Sequence, residues 1–151
     1  MQKGVLAGYP VVNLKADLYD GSYHPVDSNE ISFKLAARLA YKAGLPQAKP
    51  VLLEPVGELK VSVPESLVGD VMGDLNKRRG SVLGMEPNPK KTGYTVVTAS
   101  VPKAEMMDYV ISLRAMTQGR GTFDFEVVRY DQVPGNVAQK IIAESHVEED
   151  E

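Results

Sequence analysis

Apolar and polar residues alternate strictly across residues 12–19, where Val12, Leu14, Ala16 and Leu18 fall between Asn13, Lys15, Asp17 and Tyr19. A period of two puts each set on its own side of an extended backbone, so this segment is predicted to be a strand with one buried face. Asp20 and Gly21 break it. The spacing then becomes helical, with Ile31, Leu35 and Leu39 forming a stripe beside alanines, and Gly44 and Pro46 closing it. Asp27 is the expected N-cap, with Glu30 as its capping-box partner and Val26 stapled against Ile31. One strand and one helix cannot bury both faces of anything, so residues 1–46 read as an incomplete domain whose other strands lie elsewhere.

After LPQAKP the pattern starts afresh and repeats itself. PVLLEPVGELKVSVP is a long apolar, β-branched run with a Pro-Val-Gly irregularity, and ESLVGDVMGDLNKRRG is a helix with Leu67, Val68, Val71, Met72 and Leu75 on one side. SVLGME and GYTVVTASVP flank the turn-rich PNPKKTG and predict a hairpin. A second helix follows in KAEMMDYVISLRAMTQ, with Met106, Val110, Leu113 and Thr117 at helical spacing, and FDFEVVRY closes as a strand. Ser62-Val63-Pro64 recurs 38 residues later as Ser100-Val101-Pro102, and the same offset lays Met72 on Val110 and Leu75 on Leu113. Each unit is strand, proline-led helix, basic glycine-containing exit, strand. Two such units joined by a hairpin predict an α+β, ferredoxin-like split βαβ domain over residues 47–134, with an antiparallel sheet under two helices. Residues 135–151 are expected to hold a short helix around 137–143 and a solvated acidic tail.

Charge adds one feature to this outline. The formal net charge is −3, but Glu144, Glu148, Glu149, Asp150 and Glu151 lie in the last eight residues; without them seventeen basic side chains outnumber fifteen acidic ones, leaving +2. From Leu75 to Arg120 eight cations face three acids, which is compatible with a basic face toward RNA. The chain has no cysteine, so disulfides and thiolate metal sites are ruled out. No apolar run is long enough to span a bilayer and the N-terminus lacks signal-peptide architecture, so a cytoplasmic home is the expectation.

Two places could carry chemistry. DGSYHPVDS, residues 20–28, holds one of two histidines. Asp20, His24 and Asp27 include the donor types for a divalent ion, yet Asp20 is accounted for as a turn residue and Asp27 as a cap. No metal site is therefore assigned. His24 lacks a nucleophile motif to serve, and Pro25 biases it toward an extended, stiff and exposed tip, the kind of place where partner contacts sit. The second place is Asn76-Lys77-Arg78-Arg79-Gly80. A single cation would suit the helix C-terminus; three, with Arg114 and Arg120 at related places in the second repeat, make phosphate contact an equal reading. A phosphate loop and a dinucleotide fingerprint are both missing, and Gly119-Arg120-Gly121 reads as a helix end followed by a strand start. Aromatic-rich strands of the stacking RNA readers are missing too, so base-specific reading by the sheet is not expected. Gly69 and Gly73 each cost the first repeat helix roughly 1 kcal/mol relative to alanine.

The blocks GYPV, DGSYHPVDS, PVLLEP, GDLNKRRG, LRAMTQGRG and YDQVP run in this order along nearly the whole chain. In them the sequence resembles bacterial elongation factor G, a translational GTPase: residues 1–46 are similar to the later part of its domain IV, and the following segments to its domain V and C-terminal end. The resemblance implies a C-terminal piece that binds the ribosome and helps move tRNA and mRNA. Magnesium and GTP hydrolysis would belong to missing N-terminal domains, with no cofactor and no catalytic residue in this stretch. It further implies a partial ribosomal-S5-like α+β unit followed by the ferredoxin-like module. Ser22, Tyr23, His24 and Pro25 would lie at the tip that meets tRNA and mRNA, and Lys77, Arg78, Arg79, Arg114 and Arg120 would face ribosomal RNA. An auxiliary elongation-factor-like or ribosome-protection paralogue is an alternative within the family. A stand-alone ferredoxin-like module for ligand binding or oligomerisation is the alternative outside it.

Overall fold

The computed structural model describes residues 2–149, and the chain divides into two compact units: residues 53–132 form one, and the residues before and after them form the other. Each is built on its own logic.

The central unit is a four-stranded antiparallel sheet in the order β2-β3-β1-β4. Its strands are β1 (Leu53–Pro64), β2 (Ser81–Pro87), β3 (Tyr94–Pro102) and β4 (Thr122–Gln132). Helix α2 (Val68–Lys77) joins β1 to β2 and helix α3 (Tyr109–Thr117) joins β3 to β4, each entered through a short 3-10 turn. Each crossover therefore skips one strand of the sheet, which is the ferredoxin-like arrangement predicted by the repeat. Period-two burial shows why the sheet packs on one side: Leu59, Val61 and Val63 of β1 and Val97, Ala99 and Val101 of β3 are fully buried. Val71, Leu75, Tyr109 and Leu113 come down onto them from the helices. The 38-residue offset survives in the packing, since Val61 matches Ala99, Val63 matches Val101, Val71 matches Tyr109 and Leu75 matches Leu113.

One core position was misphased. Val110 is 40% exposed while its neighbour Tyr109 is buried. The α-helix starts only at Tyr109; a 3-10 turn over Lys103–Met106 precedes it. A 3-10 turn advances with three residues rather than 3.6, so a stripe counted continuously from Met106 slips by one. The Pro-Val-Gly irregularity is a bulge between Val56 and Gly57 in the pairing with β4. There a Cβ on Gly57 would lie 2.6 Å from the carbonyl of Glu126 and against the Phe125 ring. Only glycine lets that ring cross the strand so closely.

The other unit departs further from expectation. Residues 12–18 pair with no strand among the described residues, and Asn13 interrupts them with φ of 57°. An alternating pattern encodes a face, but the ladder needs a neighbour to accept its hydrogen bonds. Helix α1 (Glu30–Gly44) forms where predicted and ends on a 3-10 turn at Leu45–Ala48. Its cap is Asn29, not Asp27: the Asn29 side chain accepts hydrogen bonds from the Ser32 amide at 2.9 Å and the Ser32 hydroxyl at 3.0 Å. Glu30 pairs with Lys34 along the helix rather than closing a capping box. Val26 is 92% and Ile31 69% exposed, so no staple forms, and Leu35 and Leu39 are exposed as well. Helix α4 (Gly135–Glu149) is longer than the 137–143 expected. The acidic residues Asp150 and Glu151 of the expected solvated tail lie outside the described residues.

Candidate nucleic-acid interface

In DGSYHPVDS the backbone of His24 organises the turn. Its amide donates to Ser28 Oγ at 2.8 Å, and its carbonyl accepts from the amides of Asp27 at 3.2 Å and Ser28 at 2.9 Å. Pro25 disfavours helix at residue 24 and opens the turn, and Ser28 closes it, so the helix begins after Asn29. That displacement by two residues is why Asp27 lost the cap. Asp20 Oδ1 accepts from the Gly21 amide at 2.8 Å, as a turn aspartate does. Ser22, Tyr23, His24 and Pro25 are all exposed, side by side along the loop. Among the described residues no three His, Cys, Asp or Glu side chains gather closely enough to hold a metal ion.

The basic run sits in the central unit and divides sharply. Helix α2 ends at Lys77, and the Gly80 amide donates back to the Leu75 carbonyl at 2.8 Å in a Schellman closure. The residue at the left-handed position of this closure is Arg79, with φ of 58°. Such a conformation costs a side-chain-bearing residue roughly 1–2 kcal/mol. It aims the guanidinium at Glu54 on β1, with a two-pronged contact at 2.8 and 2.9 Å, while Nε reaches Glu105 at 3.1 Å. Hydrogen bonding to Glu54, against the penalty of burial, holds the Arg79 pKa above its ordinary value.

Arg78 is more enclosed, with a side chain 11% exposed. It donates to Asp74 at 2.8 Å, Asp108 at 2.7 Å, the Glu105 carbonyl at 2.6 Å and Ser112 Oγ at 2.8 Å. Burial works against its charge, but the hydrogen bonds to Asp108 and Asp74 outweigh that and its pKa is raised. In return, the hydrogen bond from Arg78 holds the Asp108 carboxyl below its usual value. Lys77 and Arg114 are exposed and have no acidic partner among the described residues; Arg120 is exposed with Nε donating to the Thr117 carbonyl at 3.3 Å. Of the five cations read as one set, two are therefore enclosed by carboxylates and three face outward. The acids Glu54, Asp74, Glu105 and Asp108 were missed at the sequence level. Asp74 was the visible one, four residues before Arg78 and so on the same helix face.

Comparison with known proteins matches the chain in two successive segments. Residues 51–141 match the family model described as elongation factor G C-terminus. The chain belongs to the elongation factor G family. Residues 1–49 match a second elongation factor G model, that of domain IV. Among curated relatives, elongation factor G of Aquifex pyrophilus is 55% identical over 144 residues, which is 95% of this chain and 20% of that protein. The chain thus spans about a fifth of the length of that elongation factor G. A crystal structure from Thermus thermophilus superposes with a TM-score of 0.80 at 47% identity, covering 96% of this chain and 22% of that one. No helix among the described residues is long and apolar enough to cross a membrane.

Proposed function

We propose that this chain is the ribosome-docking C-terminal part of an elongation factor G, presenting His24 to tRNA and mRNA during translocation and binding ribosomal RNA through exposed cations. The observation that carries the reading is the tip. The main-chain groups of His24 are engaged within the turn and its ring is left outside, on a loop stiffened by Pro25. Such a ring acts by shape and hydrogen bonding at a fixed place, which suits positioning a partner more than turning over a substrate. Ser22, Tyr23 and Pro25 supply the neighbouring contact surface. Of the five cations read as one set, Lys77, Arg114 and Arg120 are exposed and available to phosphate, whereas Arg78 and Arg79 are committed internally. This stretch is assigned no reaction; GTP, magnesium and hydrolysis belong to the G domain of the longer protein. Docking on ribosomes makes the cytoplasm its working compartment.

The test is His24→Ala in the full-length factor. Single-turnover translocation is expected to slow while ribosome-stimulated GTP hydrolysis stays close to the parent. Equal loss of both would show that the tip does not act separately from the GTPase.

A further inference from the structure

Arg78 and Arg79 stand in the middle of the most basic run of the chain, yet their surroundings are acidic. Two guanidinium groups meet four carboxylates, Glu54, Asp74, Glu105 and Asp108, so the cluster as a whole carries an excess of negative charge. An approaching phosphate would be repelled by that excess. To reach it, Arg79 would also have to abandon Glu54, whose side chain is only 12% exposed, and leave a mostly buried carboxylate without its partner. The partners come from both halves of the repeat: Glu54 and Asp74 from the first, Glu105, Asp108 and Ser112 from the second. A third observation is conformational. Arg79 occupies the left-handed position although glycine stands next to it at residue 80, and that geometry turns its fork toward β1.

We infer that Arg78 and Arg79 are positioning residues which tie the two βαβ halves together at the end of α2 and hold Lys77 outward, and that they make no phosphate contact themselves. This rests on the proposed reading that the exposed cations meet RNA. The basic run then has two jobs at consecutive residues, with Lys77 facing the partner and the arginines facing the fold.

The experiment combines denaturant unfolding with binding of the 151-residue chain to purified bacterial large ribosomal subunits across a salt series. Arg79→Gln is expected to lower the folding equilibrium constant at least tenfold, because Glu54 is left buried and unpaired. Glu54→Gln combined with Arg79→Gln should regain most of that loss. Affinity should fall and recover in step with it, with the slope of log K against log salt unchanged. Lys77→Ala should do the reverse, reducing the slope by about 0.7–0.9 for one lost phosphate contact and leaving unfolding as it was. A reduced slope in both Arg79→Gln and the double variant, with unfolding unaltered, would overturn the inference. Should Arg79→Gln not fold, Arg79→Lys keeps the charge but loses the fork. Its expected result is reduced stability at unchanged slope, and full stability with full affinity would overturn the proposal. If the parent chain shows no salt-dependent binding to subunits, the docking reading fails by itself. A Glu105–Arg79 double-mutant cycle then decides alone, since this pair joins the two halves: coupling supports the tie and additivity sinks it.

Discussion

The Arg78 guanidinium carbon lies 5.2 Å from the centre of the Tyr109 ring, which also meets Phe123 edge-on at 5.1 Å between centroids. Tyr109 is fully buried, and its hydroxyl has no hydrogen-bond partner among the described residues. The ring therefore serves the fold through its carbon framework and not its oxygen. Tyr109→Phe keeps both contacts and removes an unpaired polar atom, so it should be neutral or stabilising by up to about 1 kcal/mol. Tyr109→Ala should lose about 3–5 kcal/mol. Urea unfolding of the two variants separates these effects.

The same phenol sets an alkaline limit. Burial, reinforced by the charge of Asp74, pushes the Tyr109 pKa well above its ordinary value. With the folded pKa above the unfolded one, stability is unaffected below about pH 10 and falls as pH rises from there toward the folded value. In Tyr109→Phe this loss should disappear. Denaturant midpoints from about pH 9 to about pH 11.5, read as the difference between parent and variant, check it.

Asp108 sets the opposite limit. Its folded pKa is depressed by the hydrogen bond from Arg78, so its contribution is complete above about pH 3.9 and is lost as pH falls through the lower folded value. Asp108→Asn should flatten that part of the acid limb. A parent and variant with superimposable profiles below about pH 5 would contradict the assignment.

At the start of α1 the cap can be tested directly. Asn29→Ala removes the acceptor for the Ser32 amide and should destabilise α1 by about 1 kcal/mol. Asp27→Ala, at the residue the sequence pattern favoured, should change stability by less than about 0.5 kcal/mol. Helical content by circular dichroism against temperature reports on both.

Glycine in this chain has two distinct meanings. At Gly69 and Gly73 an added Cβ meets nothing within 4 Å, so each change to alanine should stabilise α2 by about 0.5–1 kcal/mol. At Gly57 the same methyl would strike Phe125 and Glu126, and Gly57→Ala should destabilise by about 1–3 kcal/mol. Thermal midpoints moving in opposite directions would establish the contrast.

How much of this was legible in the sequence depends on whether a feature is local. The sheet and both crossovers were, because Ser62-Val63-Pro64 and Ser100-Val101-Pro102 mark where each strand ends and its connection to a helix begins. The β1 irregularity was too, since Pro-Val-Gly cannot continue a regular ladder. The strand at residues 12–18 was not, because periodicity records a face and says nothing of whether a neighbouring strand is present. The cap moved because a turn closed by Ser28 used up two residues that pattern matching had given to the helix. In the basic run, composition counted Lys77, Arg78 and Arg79 as equals. Glu54 lies 25 residues from Arg79 and Glu105 lies 26 from it, separations at which no sequence window links an arginine to its acid.

The turn around His24 has a consequence for change over time. Since residue 24 contributes its amide and carbonyl to the frame and its ring to the exterior, exchanging the side chain leaves the frame's hydrogen bonds in place. The loop behaves as a socket. Its shape belongs to Pro25 and Ser28 and its chemical character to whatever stands at residue 24, so a new loop chemistry can be acquired in one step without refolding the support.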